Sequence, residues 1–321
     1  MKFLITGGAG FIGSHLVNSI LDKGLGEVTV LDNFDTLLYE ASLKHQNIEY
    51  AKKSKYFNLI EGDIRNNKLV VDIFGTVKPT ILIHLAALAG VRPSIKYPAQ
   101  YWDVNLVGTT TLFEAAVKQN VSKIIFASSS SVYGNNQKVP FSEDDPVESP
   151  ISPYAASKRA GELLCSTYSH LYGIPITALR FFTVYGPSQR PEMAIHSFTR
   201  LIDSNEKIEI HGDGLSQRDY TYIDDIIDGC LGAINRVTDG FDIYNLGNSK
   251  VVSLGNLVQI IELALGKKAK INYLPKQPGD VDQTFADIRK ARQELDFEPK
   301  TDINIGIGRF VEWYRNQKKR G

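Results

Sequence analysis

The chain has 321 residues, 43% hydrophobic and 22% charged, the composition of an ordinary globular protein with room for a sizeable core. Its 36 Lys+Arg balance 36 Asp+Glu, so the net charge is zero and there is no electrostatic footprint for nucleic acid. With two cysteines, Cys165 and Cys230, both in apolar helical patterns, and no run of apolar residues long enough to span a bilayer, it reads as cytoplasmic, without a disulfide framework or membrane partner.

Short apolar runs alternate with amphipathic stretches through the first half. "KFLIT" (2–6), "EVTVLD" (27–32), "FNLIEG" (57–62), "TILIHLA" (80–86), "KIIFASS" (123–129) and "IPITALRF" (174–181) predict strands buried on both faces. Ile12, Leu16, Val17, Ile20 and Leu21 recur at helical spacing between the first two. This alternation predicts an α/β fold with a doubly wound parallel sheet. A helix over 153–172 starts clearly, with Ser152 as N-cap and Pro153 at the first helical position.

Beyond 181 the pattern becomes irregular through "VYGPSQRPEM" (184–193) and "HGDGLSQRDY" (211–220). A helix (224–236) and a strand (241–246) then resume and are expected to return to the main sheet, with helices and a short strand near 270–274 in the tail. The expected division is a nucleotide-binding domain of 1–180 and 221–247, and a smaller discontinuous α+β substrate domain of 181–220 and 248–321.

"LITGGAGFIGSHL" carries two overlapping glycine frames: Gly8, Gly10 and Gly13, or Gly7, Gly10 and Gly13. The string follows a strand and opens a helix, where missing Cβ atoms let a pyrophosphate approach and the helix N–H groups face it. Asp32 ends the second strand 19 residues past Gly13, placed to accept hydrogen bonds from an adenosine ribose and to repel a 2′-phosphate. This favours NAD over NADP. Asp63, after the third strand, reads either as an adenine contact or as a plain turn aspartate.

"SPYAASKRAGE" puts Tyr154 and Lys158 one helical turn apart on one face. Fifteen tyrosines and 36 Lys+Arg in 321 residues give about two such spacings by chance, so the surroundings decide. "FASSSSVYG" brings Ser128 to Ser131 out at the carboxyl edge of the sheet, where ligands bind. A tyrosine acting as a base near neutral pH needs its phenolate favoured by about 4 kcal/mol, and a lysine and a positive nicotinamide ring are candidates to supply it. With the glycine loop, the pair reads as chemistry.

On these stretches the chain resembles the extended short-chain dehydrogenases/reductases over essentially its whole length, specifically nucleotide-sugar 4-epimerases, and most nearly UDP-glucuronate 4-epimerases. The resemblance implies an NAD-binding Rossmann domain, a small nucleotide-sugar domain and a homodimer formed through helices near 98–119 and 153–172. It implies catalytic roles for Ser129, Tyr154 and Lys158. It implies cofactor contacts from Gly7, Gly10, Phe11, Ile12, Gly13, Asp32, Asn33, Asp63, Ile64, Leu85, Ala86, Ala87 and Asn105, together with Tyr154 and Lys158.

The substrate contacts it implies are Arg92, Ser129, Ser130, Thr183, Arg190, Met193, Arg218 and Asp280, with Arg190 offering a guanidinium to a C6 carboxylate. Thr183 stands where UDP-galactose epimerases carry asparagine, and Gln277 where they carry arginine. Ser130-Ser131 occupy the place of the dehydratases' Asp-Glu pair, and Ser131 that of the decarboxylases' glutamate. Ser188 departs from an arginine common in the glucuronate group. The implied reaction is reversible inversion at C4 through a 4-keto sugar. A 4-epimerase of neutral UDP-hexoses or UDP-N-acetylhexosamines, a net dehydrogenase and a non-catalytic NAD-sensing protein are the alternatives.

Overall fold

The computed structural model describes residues 1–276 and 281–319, so the readings at Gln277 and Asp280 lie outside the described residues. The first half runs β1 (Lys2–Thr6), α1 (Phe11–Asp22), β2 (Glu27–Asp32), α2 (Ala41–Asn47), β3 (Phe57–Glu61), α3 (Asn67–Val77) and β4 (Ile81–His84). Next come α4 (Val91–Lys96), α5 (Pro98–Trp102), a π-turn (Asp103–Val107) running into α6 (Gly108–Lys118), β5 (Lys123–Ser129), α7 (Pro153–Tyr172) and β6 (Ile176–Phe181). The rest is β7 (Thr183–Tyr185), α8 (Ala194–Asp203), β8 (Lys207–His211), β9 (Gln217–Tyr222), α9 (Ile223–Asn235), β10 (Phe241–Leu246), β11 (Val251–Ser253), α10 (Leu254–Leu265), β12 (Lys270–Leu274), α11 (Arg289–Leu295) and α12 (Ile303–Lys318).

Among the described residues seven strands form one parallel sheet in the order β10-β6-β5-β4-β1-β2-β3. β4, β5 and β6 are buried along their whole length because helices cover both faces, whereas β3, at the edge and expected to be buried on both faces, is half-exposed. Phe3, Ile5, Val28 and Ile83 pack toward α1 and α9, while Leu4, Leu82, Ile124 and Phe126 pack toward the helices of the opposite face. Strand order reverses between β1 and β4, and the crevice outside the strand ends at such a reversal is where ligands bind.

The return of β10 to the sheet, beside β6, agrees with the pattern of the sequence. The stretch that looks irregular beyond 181 differs. β7 and β9 pair in parallel and β11 adds antiparallel to β9, while β8 pairs with β12. β12 is the short strand expected near 270–274; β7, β8, β9 and β11 are three to six residues long with partners tens of residues distant, so no local periodicity announces them.

Helix α7 begins as its sequence requires. The Ser152 hydroxyl accepts the Ala155 N–H at 3.1 Å, Pro153 takes the position that needs no donor, and Gly173 ends the helix in the left-handed region with φ +66°. Its buried face carries a charged residue, Glu162, which is fully enclosed (0% exposed) and paired with Arg180 of β6 (1% exposed). Arg180 donates Nε to Oε1 at 2.8 Å and Nη2 to Oε2 at 2.9 Å, and a third nitrogen, Nη1, reaches the Tyr133 hydroxyl at 2.9 Å. Ser128 donates to the same Oε1 at 2.6 Å. One carboxylate therefore fastens α7 to β6 and to the end of β5.

Removing it strands a buried guanidinium. Glu162→Ala is expected to destabilise the fold by about 3–5 kcal/mol. Urea denaturation of the purified variant measures this, and a loss below about 1 kcal/mol would show that Arg180 finds another partner or water.

Candidate functional site

A cleft of about 450 Å³ opens at the carboxyl ends of β1, β2, β4, β5 and β6, where the strand order reverses. The glycine loop forms one wall, and Gly7, Gly10 and Gly13 line it rather than the frame starting at Gly8. Gly7 has φ +72°, and a Cβ there would lie 2.6 Å from the Ala86 nitrogen; a Cβ at Gly13 would lie 2.3 Å from the Gly7 oxygen. Gly8 instead backs onto Val30. Gly10 caps α1 without a side chain, so the first-turn N–H groups of Phe11, Ile12 and Gly13, which lack intrahelical acceptors, stand at the cleft wall.

Asp32 is buried at the end of β2, its carboxylate accepting the N–H groups of Ala9 at 3.1 Å and Phe34 at 2.9 Å. It thereby organises the loop as well as facing the cleft, and each oxygen keeps a further lone pair for a hydroxyl. Asn33 and Asp63 join across the cleft rim, Nδ2 donating to Oδ2 at 3.0 Å. Arg65 holds the Asp63 carboxyl down at about 2. Ile64, Leu85, Ala86 and Ala87 complete this end. An anion cradle, a hydroxyl acceptor and a flat apolar wall in that order fit a dinucleotide.

At the other end Ser129, Ser130, Tyr154 and Lys158 meet Thr183, Arg190 and Met193. Ser129 closes β5 and begins a 3₁₀ turn, its hydroxyl accepting the Ser131 N–H at 3.2 Å and donating to the Ser131 hydroxyl at 3.1 Å. Lys158, 5% exposed, donates Nζ to the Ala127 carbonyl at 2.7 Å. Burial lowers its ammonium to about 8, against the opposing charge of Glu162 one turn away. Burial raises the Tyr154 phenol, and what pulls it down is the Ser129 hydrogen bond and then the Arg190 charge. The Lys158 ammonium is directed to the β5 carbonyl of Ala127.

Three assigned residues stand apart from the cleft lining. Asn105, in the π-turn, is buried, with Oδ1 accepting the Leu88 N–H at 2.8 Å and Nδ2 donating to the Leu88 carbonyl and the Ser157 hydroxyl, both at 2.9 Å. Ser157 in turn donates to the Tyr154 carbonyl at 2.8 Å, so Asn105 ties the cleft wall to α7 from behind. Arg92 lies on α4, and Arg218 on β9 donates to the Gln217 carbonyl at 2.9 Å. Conversely, Tyr39, Lys44 and Gln189 line the cleft with no motif to mark them. The Gln189 Oε1 is buried with no hydrogen-bond partner among the described residues.

A parallel sheet with this glycine loop and a Ser-Tyr-Lys cluster at its edge defines an extended short-chain dehydrogenase/reductase. The chain belongs to the family described as GDP-mannose 4,6 dehydratase, whose profile matches residues 4–310. It is 43% identical over 312 residues to the UDP-glucuronate 4-epimerase of Thermodesulfobacterium geofontis, covering 97% of this chain and 95% of that one.

The structure resembles that of UDP-glucuronic acid 4-epimerase from Bacillus cereus in complex with UDP-glucuronic acid and NAD, with TM-score 0.93, 36% identity, and 99% and 100% of the two chains covered. It also resembles UDP-glucose 4-epimerase from Thermotoga maritima with UDP-glucose, with TM-score 0.91 and 32% identity over 99% and 100% of the chains.

The buried ammonium has a stability signature. The folded pKa of Lys158, about 8, lies below its unfolded value of about 10.4, so the charged form costs stability at neutral pH. Between those values the unfolded chain binds the extra proton, and stability rises with pH. In cofactor-stripped protein Lys158→Met is therefore expected to be more stable than wild type at pH 7, the advantage fading as pH rises through 8 toward about 10.4. Urea midpoints of both proteins at several pH values measure it, and a constant difference would contradict the assignment.

Proposed function

We propose that the protein is an NAD-dependent epimerase that inverts C4 of a UDP-sugar, UDP-glucuronate to UDP-galacturonate, through a 4-keto intermediate. The observation carrying this reading is that Ser129, Tyr154 and Lys158 share one cleft end with Ser130, Thr183 and Arg190. An oxidising cluster thus lies beside groups suited to a carboxylate. Bound NAD would supply the hydride acceptor for C4 and return the same hydride, leaving no net oxidation.

Tyr154 accepts the C4-hydroxyl proton, directly or through Ser129, and returns it to the C4 oxygen once the keto sugar has turned over, so that hydride return to its other face inverts C4. Because burial holds the phenol up, its deprotonation awaits positive charge arriving with the bound cofactor, with Lys158 and Arg190 nearby. A 4-keto uronic acid is a β-keto acid that loses CO₂ readily. Arg190, Thr183 and Ser130 are assigned to hold its carboxylate near the keto plane, where the breaking bond cannot align with the carbonyl. No Asp-Glu pair stands at Ser130-Ser131, so the dehydration named in the family's description lacks its acid and base.

Residues 1–180 and 221–247 are assigned to the cofactor and 181–220 and 248–321 to the nucleotide sugar, with Arg92, Met193, Arg218 and Asp280 among the sugar's contacts. Exposed Val107 on the π-turn and Leu163 and Leu171 on α7 support a homodimer through these helices. Two unpaired, buried thiols support a reducing, cytoplasmic setting. The neutral-sugar alternative is supported by the likeness to the Thermotoga enzyme.

Tyr154→Phe is expected to lose about 10²-fold or more in rate while keeping its fold and bound NAD. Product analysis by NMR, starting from UDP-glucuronate without added cofactor, measures it. Near-native turnover would remove Tyr154 from the chemistry.

Arg190→Ala separates the two sugar readings. It is expected to cost about 2–4 kcal/mol in kcat/KM for UDP-glucuronate, far less for UDP-glucose, and to leak a decarboxylated UDP-4-keto-pentose. Equal losses on both sugars without decarboxylation would move Arg190 to another duty and favour a neutral substrate.

A further inference from the structure

Tyr39 and Lys44 line the cleft, yet neither the glycine loop nor the proposed chemistry uses them. Both belong to the stretch that leaves β2. The Tyr39 hydroxyl comes within 3.9 Å of the position a Cβ would take at Gly10, so the phenol stands over the glycine that opens α1. Lys44, on α2, donates Nζ to the Asp35 carbonyl at 2.8 Å and sits 5.2 Å from the centre of the Tyr39 ring.

The charges around them are mixed. Asp32 and Asp35 favour the Lys44 ammonium, while burial and Arg190 oppose it; burial raises the Tyr39 phenol, Arg190 lowers it, and Asp32 and Glu192 raise it. Arg190 comes from the loop before α8 and is paired with Glu192 at 3.2 Å. Lys44 and Arg190, from separate segments, thus both line the cleft, and the Tyr39 hydroxyl beside Lys44 is the group that reaches the start of α1. An anion lying against Lys44 would meet an ammonium that the structure holds on a neutral carbonyl.

We propose that Tyr39 and Lys44 form a strap that holds the cofactor's diphosphate against the start of α1. The glycine loop presents backbone N–H groups from one side, and the strap presents an ammonium and a hydroxyl from the other. This rests on the reading of the cleft as an NAD site. An enzyme that returns its hydride in every turnover has no need to exchange NAD, and the strap makes the cofactor resident.

The test compares wild type, Lys44→Met, Lys44→Arg and Tyr39→Phe, with the exposed Lys52→Met as control. Bound dinucleotide is identified by mass spectrometry after denaturation, release of isotopically labelled NAD is followed by rapid gel filtration, and melting of the cofactor-stripped proteins reports the fold. Lys44→Met is expected to release NAD about tenfold faster than wild type. Tyr39→Phe is expected to release it about threefold faster. Lys44→Arg, which keeps the charge, and Lys52→Met stay within about twofold.

Wild-type release from Lys44→Met overturns the strap. Equally fast release from Lys44→Met and Lys44→Arg, with lowered melting of both stripped proteins, assigns Lys44 to loop packing and also overturns it. Wild-type protein that neither carries nor takes up NAD overturns the cofactor reading itself, a separate result.

Discussion

The geometry of the cleft depends on one buried ion pair. Glu162 and Arg180 are enclosed between α7 and the sheet, and their four hydrogen bonds with Ser128, Tyr133 and each other leave β5, β6 and α7 little freedom to shift. Tyr154 and Lys158 stand two turns and one turn before Glu162 on the same helix, and Ser129 directly follows Ser128. Fixing one carboxylate thus fixes the rotation of α7 against the strand end that carries the serine. A pair so deeply desolvated contributes little net stability compared with apolar packing, so its value lies in the single arrangement it enforces.

That network continues beyond the site. The Tyr133 hydroxyl donates to Asn245 at 2.7 Å, and Asn245 donates to the carbonyls of Phe141 and Asp287, which bracket the segment that re-enters beside β9. Asp219 anchors the same segment, accepting N–H groups from Asn248, Ser249 and Ala286. The polar interior therefore joins the region assigned to the sugar nucleotide to the region assigned to the chemistry. Each link has a partner, as burial demands.

The two groups assigned to the chemistry run against stability. Lys158 is held as an ammonium where burial favours the free amine, and Tyr154 is held where burial opposes the phenolate. A fold tolerates such residues when the surrounding packing over-determines them, and here two apolar clusters flank the sheet that carries them. Lys158 and Lys44 direct their ammonium groups to main-chain carbonyls, and Arg190 is paired with Glu192.

What the sequence determined by itself is whatever depends on a few adjacent residues. The glycine turn, the carboxylate closing β2, the capped start of α7 and the Tyr154–Lys158 spacing are local, and each is set by backbone sterics and helix period. The parallel sheet followed from runs buried on both faces. Only the tertiary structure decided the short strands β7, β9 and β11, whose partners are remote in the chain, and which of two glycine frames faces the cleft. It alone turned Asn105 toward Leu88 and Ser157, aimed Lys158 at the Ala127 carbonyl, and brought Tyr39 over Gly10 with Lys44 beside its ring. Direction and proximity of side chains come from contacts between segments far apart in sequence, and no local period encodes them.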